Sequence, residues 1–141
     1  MSPNSTATNY SIFPAVEKTE ELQHSILHYI EVEKVYLDAT LSLKSFSHLL
    51  DTNTTYLSRV INKQFGCNLK SLLNGCRINY AKTLLAVPGT VNVSKVATAC
   101  GFTSRSNFYK VVKEHEELTP TEFRQQSIET DIIVHQSKEA S

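Results

Sequence analysis

Glycine and proline are scarce in this chain, four of each in 141 residues. With so few turn formers, and with alternating polar and apolar runs hard to find, an all-α fold is the leading expectation. No stretch approaches the ~18 consecutive apolar residues of a membrane span, and the start Met1-Ser2-Pro3-Asn4 is no signal peptide. The three cysteines, Cys67, Cys76 and Cys100, are odd in number and lack CxxC spacing. They read as buried or idle thiols in a reducing compartment, not as a disulfide framework. No Ser/His/Asp set, Gly-rich phosphate loop or paired carboxylate is present, so nothing in the chain calls for an enzyme, a cofactor or a catalytic residue.

Net charge is lacking too, with 14 Lys and Arg against 14 Asp and Glu. That balance argues at first against a nucleic-acid partner, but its distribution along the chain is uneven. Residues 41–127 hold 11 Lys and Arg against 5 Asp and Glu, a net +6. Residues 1–40 carry −4 and residues 128–141 carry −2. A basic segment flanked by acidic ones is what a phosphate-binding surface requires, although a charged face is more often simply solvated.

Residues 1–16, rich in Ser, Thr, Asn and Pro, read as a flexible linker. From Glu17 to about Val35, Leu22, Ile26, Leu27, Ile30 and Val35 fall at helical spacing. His24 and His28 are four apart on that helix, but no third ligand stands at a matching spacing, so no metal site is expected. Ser42 is a good N-cap for a short helix, Leu43 to Leu50, expected to bury Leu43, Phe46, Leu49 and Leu50. Asp51-Thr52-Asn53 makes a turn, and Asn53 caps a helix from Thr54 to Phe65 that Gly66 closes. A long helix follows, from Leu69 to about Ala86, stopped by Val87-Pro88-Gly89.

Beyond it, Val93 to Cys100 is a short apolar helix, Gly101-Phe102-Thr103 a turn, and Ser104 opens a polar second helix. Short helix, tight turn and polar helix make a helix-turn-helix, a compact way to put side chains into a DNA major groove. The unit occurs twice. Shifted by 50, Leu43, Phe46, Ser47, Leu50 and Asp51 fall on Val93, Val96, Ala97, Cys100 and Gly101. Past the turn the shift becomes 51, placing Asn53 on Ser104, Leu57 on Phe108 and Arg59 on Lys110. One extra turn residue in the second copy accounts for the change.

The stretches LSLKSFSHLLDTNTTYLSRVINKQFG, RINYAKTLL and VSKVATACGFTSRSNFYKVVKEHEELTPTEFR resemble the DNA-binding domain of AraC/XylS-family bacterial transcription regulators, over about residues 37–126. The resemblance implies an all-α fold of about seven helices, two helix-turn-helix subdomains joined by a long linker helix. On this sequence that means a domain over 17–126, with a first unit at 43–66, a linker helix at 69–86 and a second unit at 93–117. A mostly disordered tail is expected over 127–141. The linker, about 17 residues at 1.5 Å each, spans ~25 Å, enough to serve two grooves about one helical turn apart. Departures from the family pattern are Ser47, Asp51, Val112 and Glu117, none at a DNA-facing position.

Double-stranded DNA is then the expected partner, read at base edges by Thr55, Ser58, Arg59 and Asn62 from the first recognition helix. Arg105, Ser106, Asn107, Tyr109 and Lys110 would read from the second. Thr54, Lys63, Lys95, Ser104, Lys113 and Arg124 are expected at phosphates, where they position without specifying. Arg59 and Arg105 have a plainer reading as ordinary solvent-facing arginines, and Tyr56 is expected to pack against the core. Arg77 is open between capping carbonyls and touching DNA. RNA polymerase is a further partner in keeping with the resemblance. A sensor domain or a second copy is expected to engage through the N-terminal part. No small-molecule site is visible. A competing function is a helical interaction module, with the acidic helix at Glu17–Glu33 docking a partner. The chain is expected to be the C-terminal piece of a longer, cytoplasmic regulator or of a membrane-bound sensor-regulator.

Overall fold

A computed structural model describes residues 12–87, 89, 92–116, 120 and 122. Among them lie six α-helices and no strand: α1 (Ile12–Glu31), α2 (Leu43–Leu49), α3 (Thr54–Phe65), α4 (Leu69–Leu85), α5 (Val93–Ala99) and α6 (Arg105–Glu116). A short 3-10 turn, Val35–Leu37, precedes α2. About seven helices are expected; residues 117–119, 121 and 123–141, with Arg124 and the 127–141 tail among them, lie outside the described part. No helix among the described residues is long and apolar enough to cross a membrane.

The chain divides into two compact units. The first takes the chain up to Val35 and then Leu41–Leu69. Its core forms because α1 repeats an apolar residue every four positions, so Leu22, Ile26 and Ile30 share one face and are buried. They belong to the same unit as buried Phe46 of α2 and Leu57, Val60 and Ile61 of α3. Tyr29 meets Phe46 edge to face at 6.3 Å, and the Tyr56 hydroxyl bonds the Thr19 hydroxyl. Tyr56 is thus tied to α1, as the packing expectation for it requires.

Three sequence expectations need correction in this unit. The first helix begins at Ile12, not Glu17, and ends at Glu31 before Val35 is reached. It stops because Lys34 takes a positive φ of 52°, which no α-helix accommodates, and Val35 then enters the 3-10 turn. Leu49 is 46% exposed, because the inward face of this seven-residue helix is centred between Phe46 and Ser47, where half-buried Leu43 and Leu50 also fall, and Leu49 lies on its far flank. Ser47 takes the buried place instead, and its hydroxyl donates to the Lys44 carbonyl at 2.7 Å.

The second unit takes Tyr36–Thr40 and the chain from Lys70. Ile78, Ala81 and Leu85 of α4 pack with Val96, Ala97 and Cys100 of α5, with Phe102, and with Phe108, Val111 and Val112 of α6. The rings of Phe102 and Phe108 stack tilted at 5.0 Å. An ion pair between Lys82 and Glu116 ties α4 to α6. Burial pushes the Cys100 thiol up from its ordinary 9.0 to about 12, so it behaves as a small apolar side chain.

Arg77 settles the choice left open in the sequence. Its side chain is buried, and it donates from Nε to the Tyr36 carbonyl at 2.6 Å and from an Nη to the Asp38 carbonyl at 3.0 Å. It is a carbonyl cap that fixes the Tyr36–Thr40 segment within this unit. Burial pulls its pKa down, and the nearby Asp38 carboxylate works the other way.

Candidate nucleic-acid interface

The two helix-turn-helix units are built by the same local devices. In the first, Ser42 accepts from the backbone N–H of Ser45, and the Ser45 side chain answers to the Ser42 backbone, a closed capping box that starts α2. In the second, Asn92 starts α5 by accepting from the Lys95 N–H at 3.1 Å. Sequence reading missed that cap, although Asn just before an apolar helix was the available signal. Each short helix ends on a residue with φ −90°, Leu50 and Cys100, followed by one at positive φ, Asp51 at 53° and Gly101 at 91°. The backbone then turns back identically in both: Thr52 N–H bonds the Ser47 carbonyl, and Phe102 N–H bonds the Ala97 carbonyl. Asn53 then accepts from the Tyr56 N–H at 2.8 Å and starts α3, as Ser104 accepts from the Asn107 N–H at 3.0 Å and starts α6. Both long helices have 12 residues. The offset between α2 and α5 is 50 and between α3 and α6 is 51, as the sequence repeat demands.

With Leu57, Val60 and Ile61 turned inward on α3, helical geometry turns the opposite positions outward. Thr55, Arg59, Asn62 and Lys63 are exposed, and Thr54 and Ser58 are half-buried. On α6, Phe108, Val111 and Val112 point inward, while Ser104, Arg105, Ser106, Asn107, Lys110 and Lys113 are exposed and Tyr109 is half-buried. Lys95 on α5 is exposed. Every candidate site residue within the described part is therefore accessible at least in part.

These groups differ in how far they are already engaged. Asn62 donates from Nδ2 to the Ser58 carbonyl at 2.8 Å, which leaves its amide oxygen and its second N–H to offer. An Arg105 Nη donates to the Tyr109 hydroxyl at 3.1 Å, and the guanidinium lies 5.2 Å from that ring's centre. Among the described residues, no carboxylate lies within ion-pair distance of Arg59, Lys63, Lys95, Arg105 or Lys110. Exposed cations without an adjacent described carboxylate suit a surface that meets anions. A cleft of about 580 Å³ also lies in the first unit, lined by Lys18, Glu21, Asp51 and Tyr56 among others. Nothing in the sequence announces it, and its lining includes none of the candidate reading residues.

Two apolar-cored helix-turn-helix units, each with a polar and cationic long helix, define the class: a double helix-turn-helix protein. The sequence pattern of the "Helix-turn-helix domain" family matches residues 46–126, more than half of the chain. The chain belongs to that family, in its AraC/XylS type. It is 30% identical over 109 residues to YijO of Escherichia coli (strain K12), an uncharacterized HTH-type transcriptional regulator. That match covers 77% of this chain and 37% of YijO, so the chain spans little more than a third of that relative. Among solved structures it is similar to the C-terminal domain of the two-component response regulator yesN from Fusobacterium nucleatum, with TM-score 0.63 and 28% identity. That match covers 77% of this chain and 98% of the other. A transcriptional regulator with an AraC-type DNA-binding domain from Chromobacterium violaceum gives TM-score 0.57 at 25% identity, over 62% of this chain and 78% of the other.

Proposed function

We propose that this chain is the DNA-binding domain of a transcription regulator, and that α3 and α6 each enter a major groove of double-stranded DNA. The observation that carries the reading is the repeat itself. Both copies turn an apolar face inward and leave outward a face of hydroxyls, amides and cations. In this reading Arg59 and Arg105 are the principal base readers, because a guanidinium matches the O6/N7 edge of guanine with two parallel N–H donors. Thr55, Ser58, Asn62, Ser106, Asn107 and Lys110 complete the two reading faces, with Tyr109 beside Arg105 on the second. Thr54, Lys63, Lys95, Ser104, Lys113 and Arg124 hold phosphates. The backbone N–H groups that open α3 and α6 add to that hold.

The reading extends to the whole regulator. A domain over 17–126 would serve as the output of a longer chain, whose sensing part or second copy engages through the N-terminal residues. Joining two such domains raises the effective concentration of the second on DNA already bound by the first. The regulator would work in the cytoplasm, where chromosomal DNA and RNA polymerase are met, and would act by binding, with no catalytic step. Replacing Arg59 and Arg105 together by Ala tests this. Specific binding to a selected duplex should fall by at least about thirtyfold, the low end for two contacts that each contribute ~1–3 kcal/mol of discrimination. Helical circular dichroism and thermal unfolding should not change. Retained specificity in the double variant would overturn the assignment of α3 and α6 as readers.

A further inference from the structure

We infer that Tyr109 is a positioning residue that aims Arg105, and does not itself read a base; the inference rests on the DNA-binding role proposed above. The two residues stand four apart on α6, so their side chains leave the same face of the helix. The Arg105 guanidinium donates to the Tyr109 hydroxyl at 3.1 Å and lies 5.2 Å from the ring centre, a hydrogen bond and a cation–π contact made together. Arg105 is the first residue of α6 and is exposed, and among the described residues it has no carboxylate partner that would fix its long side chain. Tyr109 is half-buried, and its ring meets the core residue Phe108 edge to face at 6.3 Å. One end of the pair is thus anchored to the core while the other is presented outward.

The donor inventory allows both tasks at once. A guanidinium has five N–H donors, and the tyrosine hydroxyl uses one of them. The remaining donors still include the paired set that a guanine edge accepts. Holding the side chain before DNA arrives reduces the ordering that binding must impose on it. The device belongs to the second copy alone. At the equivalent positions of α3, 51 residues earlier, stand Thr54 and Ser58, which cannot form such a pair.

The test is a double-mutant cycle on the whole chain, with Arg105→Ala, Tyr109→Phe, Tyr109→Ala and the double Ala variant. Each is read by its base preference at every position of the wild-type selected duplex. Arg105→Ala should flatten preference at one base pair. Tyr109→Ala should lower preference at that same pair by at least about fivefold, the low end of what a bidentate contact discriminates. Tyr109→Phe, which keeps the ring and loses the acceptor, should fall between Tyr109→Ala and wild type. The double variant should be no worse than Arg105→Ala alone. A Tyr109→Ala effect at a different base pair, or one that adds fully to Arg105→Ala, would show that Tyr109 reads DNA itself. Unchanged preference in Tyr109→Ala would equally overturn the inference. Failure of the underlying DNA-binding proposal looks different, since wild type would then select no duplex at all.

Discussion

Gly101 and Asp51 hold the same place in the two copies, yet they tolerate change very differently. Gly101 has φ 91°, and a Cβ added there would meet the Tyr36 carbonyl oxygen at 2.5 Å and the Arg77 Nε at 3.0 Å. Asp51 already carries a side chain at φ 53°, a conformation that Asp accepts more readily than most residues. Gly101→Ala should therefore cost more than ~2 kcal/mol, from the left-handed backbone and the clash with main chain together. Asp51→Gly should change stability by less than about 1 kcal/mol, since eased backbone strain and added unfolded-state entropy oppose each other. Urea denaturation of both variants checks the contrast. Arg77→Ala belongs to the same locus. It leaves the Tyr36 and Asp38 carbonyls without their charged donor, and at ~1.5–3 kcal/mol for a hydrogen bond to a charged group it should cost roughly 3 kcal/mol or more.

Cys100 supplies a pH prediction. Its folded-state pKa is raised to about 12 from 9.0, so the folded protein holds this proton more tightly than the unfolded chain does. The stability that follows is complete below pH ~9 and is lost as pH rises from there through ~12. Alkaline titration of the unfolding free energy should show that loss, and Cys100→Ala should diminish it. At pH ~8, a thiol reagent should modify half-buried Cys67 and Cys76 before buried Cys100.

Among the elements, the starts of α2, α3 and α6 are where sequence and structure agree most closely. Ser42, Asn53 and Ser104 act as caps, Gly66 closes α3 at φ 72°, and Asp51 takes the left-handed place, because each is a local device whose chemistry is carried by one or two residues. What sequence could not supply was tertiary or unmarked. The end of α1 at Glu31 has no Gly or Pro to announce it, and an apolar Val35 at helical spacing invites extension. Exposure of Leu49 depends on which side of a seven-residue helix meets the core, which hydrophobicity alone does not say. The carbonyls that Arg77 caps lie 41 and 39 residues away in sequence, beyond the reach of local pattern. The outward placement of the candidate residues on α3 and α6 follows from helical spacing, but the mutual engagement of Arg105 and Tyr109 does not. Caps also make a paired prediction at this scale: Asn53→Ala and Ser104→Ala should each cost ~1 kcal/mol, with similar values because the two caps do the same work.

For the whole molecule, the central claim is that a chain of zero net charge reads DNA through a basic segment displayed twice. Phosphate attraction alone would give binding that fades with salt and favours no sequence. Base reading by two helices adds specificity that survives at moderate salt. The measurement that separates these is selection of bound sequences from a random duplex pool, repeated at low and high salt. The account predicts an enriched site with two separate short elements, one lost in Arg59→Ala and the other in Arg105→Ala. A pool that shows no enriched sequence, with binding that only declines as salt rises, would contradict it.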